Sequence, residues 1–350
     1  MTKSKAFDFH LDRPGALIAA IPAVLGFVPE DSLVLITLDS GEMGAVIRAD
    51  LADEVRAGLA QLAEVAASGD ADAAVAVIVD ADGLDCRLCS DDHRARAAAL
   101  EKILQDSGIE LLAVHVVDRV EAGGRWQCVD GCGNSGLVDD PSASPLAMAA
   151  VLDGRRLYAK RGDLLALIAT VDGPRTEVIR QEIGKLCATT DHRPRSEAEV
   201  RDDVERVIAA TGRASAGAAA PDAELAALAR AVVDPRVRDT LYALAVGVRA
   251  AEAEELWAAL ARTLPAPWRI EALVLLAFSA YARGDGPLAG VALDEALAID
   301  DTHRMAGMLD TALRSGLRPD RIRELALTGY RLAERLGVQL PPRQIFGRSA

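Results

Sequence analysis

The chain has 350 residues, 51% hydrophobic and 26% charged, which is enough apolar material for two globular domains whose cores need no disulfide or metal. A formal net charge of -14 repels a phosphate backbone, and aromatics at 3% leave few platforms for stacked bases, so nucleic acid is excluded as an expected partner. The longest apolar run, residues 16–28, is broken by Pro22 and falls short of the roughly 20 residues of a spanning helix, so no membrane partner is expected.

The first residues, MTKSKAFDFHLDRPG, carry basic side chains with no apolar stretch of signal-peptide type behind them. Five cysteines is an odd number in a large chain, which favours a reducing cytoplasm over a disulfide framework.

Asp12 and Pro14 predict a helix to Leu25, ended by Gly26. Residues 32–38 read as a buried strand, Asp39-Ser40-Gly41 as a turn, and residues 44–51 as a second strand. The two form a hairpin with an expected loop of three or more residues. A helix follows over residues 53–67. Residues 74–79 (AVAVIV) are apolar throughout, as in a strand covered on both faces. A helix over 90–107 and a strand over 111–117 complete a parallel crossover. Residues 125–129 read as an edge strand, and Ser144-Pro145 starts another helix. Residues 164–169 are ambiguous between strand and helix, whereas 176–186 are helical. Ser196 and Glu199 form a capping box for a helix over 196–210.

Residues 211–221 (TGRASAGAAAP) have the composition of a linker. Beyond them only helices are expected, paired as 237–249 with 252–264, 269–283 with 288–299, and 302–315 with 319–336. The fold expected is therefore α/β, a mixed sheet with flanking helices over residues 1–210, followed by an all-α domain of helical hairpins over 222–340 and a tail over 341–350. The second pair resembles a tetratricopeptide repeat. Ala289, Leu293 and Ala296 stand at the small-large-small offsets of that repeat's second helix and become candidates for a groove that receives a protein or peptide partner.

Several motifs carry candidate chemistry. Cys86, Cys89, Cys128 and Cys132 form two close pairs, the spacing by which four thiolates hold zinc; an Ala-rich core also holds inert cysteines. Val77 to Gly83 resembles the strand and Asp-x-Asp-Gly nucleophile motif of haloacid-dehalogenase-type phosphatases, in which carboxylates hold magnesium. No partner Lys motif or paired acidic loop follows, so a polar turn after a buried strand is the expected reading. Asp80, Asp82 and Asp118 all follow expected strands and form a candidate acidic cluster for a metal or cationic ligand. Gly131-x-Gly133-x-x-Gly136 satisfies the dinucleotide pattern, but no helix opens after it, so a loop is expected. His115 reads as a core histidine, and His93, beside Asp91 and Asp92, as a solvated residue of a first helical turn. Ile345 and Phe346, after two prolines, close the chain in a locally packed tail or a docking peptide.

Arg13-Pro14-Gly15, Ile21-Pro22, Leu25-Gly26-Phe27, Pro29 and Ser32-Leu33-Val34 stand in an order that resembles the opening of an actinobacterial family catalogued as domain of unknown function 4192. Trp126, Cys128, Cys132, Gly136, Asp140-Pro141 and Ser144-Pro145 resemble its middle block, and Gly284-Asp285-Gly286 with Ala289, Ala292 and Leu293 its C-terminal part. The chain departs from it at Cys132-Gly133-Asn134, where members often carry a Cys-Cys-Pro-like stretch. The resemblance implies a fold outline and no catalytic residue. Two functional expectations remain, a protein-interaction or regulatory module acting through the helical part, and a metal-dependent enzyme or small-ligand binder acting through the strand-end carboxylates.

Overall fold

The structure is a computed structural model that describes residues 13–51, 55–67, 71–152, 157–171, 173–188, 195–215, 217, 220–315 and 317–344. Asp12, Asp53, His10, Ile345 and Phe346 lie outside the described residues. The chain divides into two compact units, one ending at Arg161 and the other beginning at Gly162.

The first unit is built on a six-stranded sheet of order β2-β1-β3-β4-β5-β6. β1 (Ser32–Asp39) pairs antiparallel with both β2 (Glu42–Asp50) and β3 (Ala73–Val79). The β1–β2 turn is shorter than expected. Ser40 and Gly41 alone make it, with φ of 52° and 84°, the two positive values of the tight hairpin turn whose twist matches the strands. β2 and β3 therefore run parallel on either side of β1, joined through α2 (Val55–Ala67). β3 pairs parallel with β4 (Glu110–Val117) through α3 (Arg87–Asp106), so the expected crossover is present.

β5 (Arg125–Cys128) was expected at the edge, but β6 (Ser135–Leu137) pairs outside it. Three residues holding a glycine between two small or apolar neighbours give no alternation to read, which is why the sequence suggested only a loop.

α2 and α3 cover one sheet face. Leu59, Leu62, Ala63, Leu100 and Leu104 pack there on Leu33, Leu35, Ala76, Ile78 and Val116. The alternate residues Val34, Ile36, Val75, Val77 and Val79 are buried as well. α1 (Pro14–Leu25) is buried along most of its length and ends at Gly26 in the left-handed conformation, with Gly26 N–H bonded to Pro22 O. It packs on α4 (Pro145–Leu152), and Gly15 passes so close to Leu137 that a Cβ would stand 2.3 Å from its carbonyl oxygen.

The second unit contains α5 (Arg161–Ala166, at the boundary), α6 (Pro174–Ala188), α7 (Glu197–Ser215), α8 (Asp222–Val232), α9 (Pro235–Leu241), α10 (Ala250–Thr263), α11 (Arg269–Arg283), α12 (Gly286–Ile299), α13 (Arg304–Arg314) and α14 (Pro319–Leu336). The ambiguous segment at 164–169 is helical at its start. The expected capping box closes as Glu199 N–H to Ser196 Oγ and Ser196 N–H to Glu199 Oε2. The boundary expected within 211–221 lies earlier in the chain. α7 continues through Ser215, α6 packs on α8, and α7 packs on α10, so these helices belong with the helical unit. A single glycine, Gly212, inside a helix already running costs only about 1 kcal/mol relative to alanine, so it did not end α7.

α11 is buried at every position from Arg269 to Ala282. It packs on α10, α12, α14 and the 3-10 turn Tyr242–Val246. Ala289, Leu293 and Ala296 are each 0% exposed. These three form the seam by which α12 closes on its neighbours, so they line no groove that a partner reaches. Small residues at this spacing let helices approach, and the approach consumes them.

At Gly329 a Cβ would stand 2.6 Å from Thr240 O and 2.8 Å from Ala243 Cβ, whereas at Gly307 it would meet nothing within 4 Å. Gly329→Ala is expected to destabilise the helical unit by about 1–3 kcal/mol through overpacking. Gly307→Ala is expected to stabilise it by about 0.4–1 kcal/mol through the unfolded chain. Urea unfolding followed by far-UV circular dichroism checks both signs.

Candidate functional site

Asp80 is the first residue after β3, and its N–H still donates to Val117 O at 3.0 Å. The chain then turns sharply. Gly83 N–H donates to Asp80 O at 3.1 Å, and Asp82 N–H donates to Asp80 Oδ1 at 3.1 Å. The other carboxylate oxygen, Oδ2, lies 2.9 Å from His93 Nε2 in α3. A carboxylate only accepts, so Nε2 carries the proton and donates it. His93 is 4% exposed, and its Nδ1 has no hydrogen-bond partner among the described residues. Gly83 is needed here because a Cβ would stand 2.7 Å from His93 Cε1 and 3.0 Å from Asp80 Oδ2.

The expectation that His93 is solvated is therefore corrected. It stands one heptad before Leu100, on the apolar stripe that runs on to Leu104, and that spacing was the signal that could have placed it inside. A cavity of about 220 Å³ opens beside it, between the start of α3 and the β5–β6 hairpin. Ser90, His93, Arg94, Gln127, Asn134 and Ser135 supply its polar lining, with Cys128 and the backbone at Gly131 and Gly133.

The three strand-end carboxylates do not converge. Asp80 is engaged by its own turn and by His93, and Asp82 is exposed. Asp118 is 8% exposed and accepts from Arg125 N–H at 2.8 Å, Arg125 Nε at 3.3 Å and Arg119 at 3.2 Å. Its role is to hold the start of β5 against the end of β4. The Asp-x-Asp-Gly string thus closes a polar turn. The glycine pattern at 131–136 forms the hairpin, with φ of 73° at Gly131 and 84° at Gly133, while a Cβ at Gly136 would stand 3.1 Å from the Trp126 ring.

The four cysteines also separate into two pairs. Cys86 caps α3, its sulfur accepting from Cys89 N–H at 3.3 Å. The hydrogen bond with Cys89 draws the Cys86 thiol below its ordinary value, and the same pairing pushes Cys89 up to about 11. The second pair has other company. Cys128, Asp130 and Cys132 bring their ligand atoms within 4.8 Å of one another, the only such group of His, Cys, Asp or Glu among the described residues. His115, opposite Cys128 in the β4–β5 ladder, places Nδ1 3.5 Å from Cys128 Sγ and stands edge-on to Trp126. It is 4% exposed, as expected of a core histidine, and burial lowers its pKa. Burial, then the neighbouring Cys132, pushes the Cys128 thiol up to about 12. Asp130 and His115 were outside the expected ligand set. The Cys-x-Asp-x-Cys spacing was open to reading, but the cross-strand partner was not, since it follows from the sheet register.

A family model described as Domain of unknown function (DUF4192) matches residues 14–320. The chain belongs to the DUF4192 family. The matched span crosses from the α/β unit into the helical one, so the family's extent includes both. Neither a curated protein nor a solved structure matches this chain. In this DUF4192 chain, no helix among the described residues is long and apolar enough to cross a membrane.

Removing the Asp80 carboxylate leaves His93 buried with both ring nitrogens unpaired. Asp80→Ala is expected to destabilise the α/β unit by about 1–3 kcal/mol. Asp80→Asn, which keeps an acceptor, is expected to cost less. Denaturant midpoints give the ranking, and loss of the slowly exchanging His93 Nε2–H resonance in ¹⁵N-edited spectra reports the broken bond.

Proposed function

We propose that the α/β unit is a regulatory module that binds a small polar ligand in the cavity between α3 and the β5–β6 hairpin. One observation carries this reading. His93 lines that cavity, is almost fully buried, and keeps Nδ1 without a partner among the described residues while Asp80 holds its Nε2. A buried polar atom without a hydrogen bond costs about 1–3 kcal/mol, and a bound molecule that turns the ring enough to donate to Nδ1 recovers that loss.

The rest of the lining agrees. Ser90, Gln127, Asn134 and Ser135 offer donors and acceptors, and Arg94 offers a cation, now paired with Asp91 at 2.6 Å. The ligand this favours is a small molecule with one hydrogen-bond donor for His93 and one acidic group for Arg94. A volume of about 220 Å³ is below the roughly 300–1,000 Å³ typical of drug-sized ligands, which favours a metabolite smaller than a dinucleotide.

A partner-binding role through the helical unit is the second reading. It is supported by Val248, Met308 and Leu325, large apolar side chains that are each more than half exposed. Singly scattered apolar side chains are common on surfaces, so this reading ranks below the first. Nothing in it rests on Ala289, Leu293 or Ala296.

Thermal-shift screening of the full chain against small carboxylates, phosphate esters and amino acids tests the first reading. A ligand present at about 100 times its Kd is expected to stabilise the α/β unit by about 2.7 kcal/mol and to shift the His93 Nδ1 resonance. His93→Gln and Arg94→Gln are expected to weaken that ligand at least tenfold. If no compound moves either the melting transition or the His93 resonance, the reading is wrong.

A further inference from the structure

Cys128 is the last residue of β5, and its register partner across the ladder is His115. Directly opposed residues of an antiparallel pair stand on the same face with Cβ atoms about 4.5–5.5 Å apart. This brings the thiol and the imidazole side by side, with Nδ1 3.5 Å from Sγ. The chain then folds back over them. Val129 N–H donates to Val114 O at 2.9 Å, and Cys128 N–H donates to Asn134 O at 2.9 Å, which closes the hairpin. Within the loop, Cys132 N–H donates to Asp130 Oδ1 at 2.9 Å. That small turn carries the Asp130 carboxylate and the Cys132 thiol back to Cys128, so that all three ligand atoms fall within 4.8 Å of one another.

From this arrangement we infer that Cys128, Cys132 and Asp130 form a zinc site at the outer hairpin of the sheet, with His115, 3.5 Å from Cys128 Sγ but outside that group of three, as the fourth ligand. Two sulfurs, one carboxylate oxygen and one imidazole nitrogen are a complete tetrahedral set for zinc. Bonds of about 2.0–2.3 Å in such a site place neighbouring donor atoms roughly 3.3–3.8 Å apart, and the His115–Cys128 separation already has that value. Two thiolates select zinc over magnesium or calcium, which prefer oxygen alone. Cys132 and Asp130 are exposed, which gives the ion an entry path, while His115 is fixed by the strand it stands on. Asp130 Oδ2 takes the metal while Oδ1 keeps the Cys132 N–H. Cys86 and Cys89 take no part.

The site does not use His93 or Arg94, which carry the ligand reading, and stands or falls separately. The two share Cys128, which also lines the cavity, and the loop at 129–134, which lines it on one side and carries two of the metal ligands.

The test is metal binding by the full-length chain. The protein is purified with a phosphine reductant, stripped with chelator and titrated with Co²⁺, then with Zn²⁺. The expected result is one equivalent of Co²⁺ with tetrahedral d–d bands and thiolate-to-cobalt absorption, bleached by one equivalent of Zn²⁺. Cys132→Ser, in the exposed loop, is expected to lose the tetrahedral spectrum while keeping its far-UV circular dichroism. His115→Gln is expected to weaken Co²⁺ at least tenfold, and Cys86→Ser and Cys89→Ser to bind as the unmodified chain does. The inference is overturned if the reduced protein takes up no stoichiometric Co²⁺ or Zn²⁺, if the bound cobalt is octahedral without thiolate absorption, or if Cys86→Ser abolishes binding as Cys132→Ser does. It is overturned equally if Cys128 and Cys132 prove to be a disulfide that binds no metal once reduced.

Discussion

Burial of β3 on both faces is the constraint from which the α/β unit follows. Residues Ala74 to Val79 are all at most 2% exposed, so neither face of that strand meets water. A strand of this kind needs a neighbour on each side and cover above and below. β1 and β4 are the neighbours, and α2 and α3 cover one face. Parallel pairing of β3 with β4 then obliges the chain to leave β3 at Val79, turn, and return along α3. The turn is where polarity first becomes possible, and Asp80 occupies that place. Its carboxylate meets His93 because α3 must start beside the strand end it has just left. The geometry of the Asp80–His93 pair is thus a consequence of an apolar strand that carries no functional group of its own.

Much of this was open to sequence reasoning because it depends on local pattern. The AVAVIV run, the Asp-Gly turn after it, the Ser196–Glu199 capping box and the helices at 269–283 and 319–336 are each decided by a few neighbouring residues. What escaped depends on distant partners. β6 is three residues long and exists because β5 offers it an edge. Ser40 accepts a positive φ because the strands on both sides impose it. His93 was misread because Asp91 and Asp92 dominate its local composition, whereas its heptad relation to Leu100 decides its burial. The strand-end aspartates share a sequence pattern and have separate fates, since Asp118 is claimed by Arg125 and Asp80 by His93.

The helical unit shows the same limit from the packing side. Its alanine stripes read as repeat units because repeats and closed bundles use small residues for one purpose, close helix approach. The difference lies in what surrounds the helix. α11 is enclosed along its length, and even its charged side chains are held inside. Arg269, 4% exposed, donates to Ala261 O at 3.0 Å, Ile168 O at 2.7 Å and Glu295 at 2.6 Å. Glu271, 7% exposed, accepts from Arg238 at 3.1 Å and lies 3.3 Å from His303 Nε2. Buried charges of this kind are tolerated only when paired and hydrogen-bonded, and breaking one pair costs far more than a surface ion pair contributes. They tie α9, α10, α12 and the start of α13 to the central helix.

The hairpin at the far edge of the sheet is short. β6 contributes three residues, the loop between the strands needs positive φ at Gly131 and Gly133, and much of it is exposed. Short edge hairpins open at low free energy, and segments that order on binding come from that end of the stability range. The loop at 129–134 is also the wall of the cavity that faces His93 and the carrier of Asp130 and Cys132. Anything that fixes it from one side lowers the cost of ordering it for an occupant on the other, and the coupling is reciprocal. The proposed ligand at His93 and the proposed metal at the hairpin would therefore be linked through one six-residue loop. The placement of both at the edge next to β4 follows from the same sheet order that buries β3.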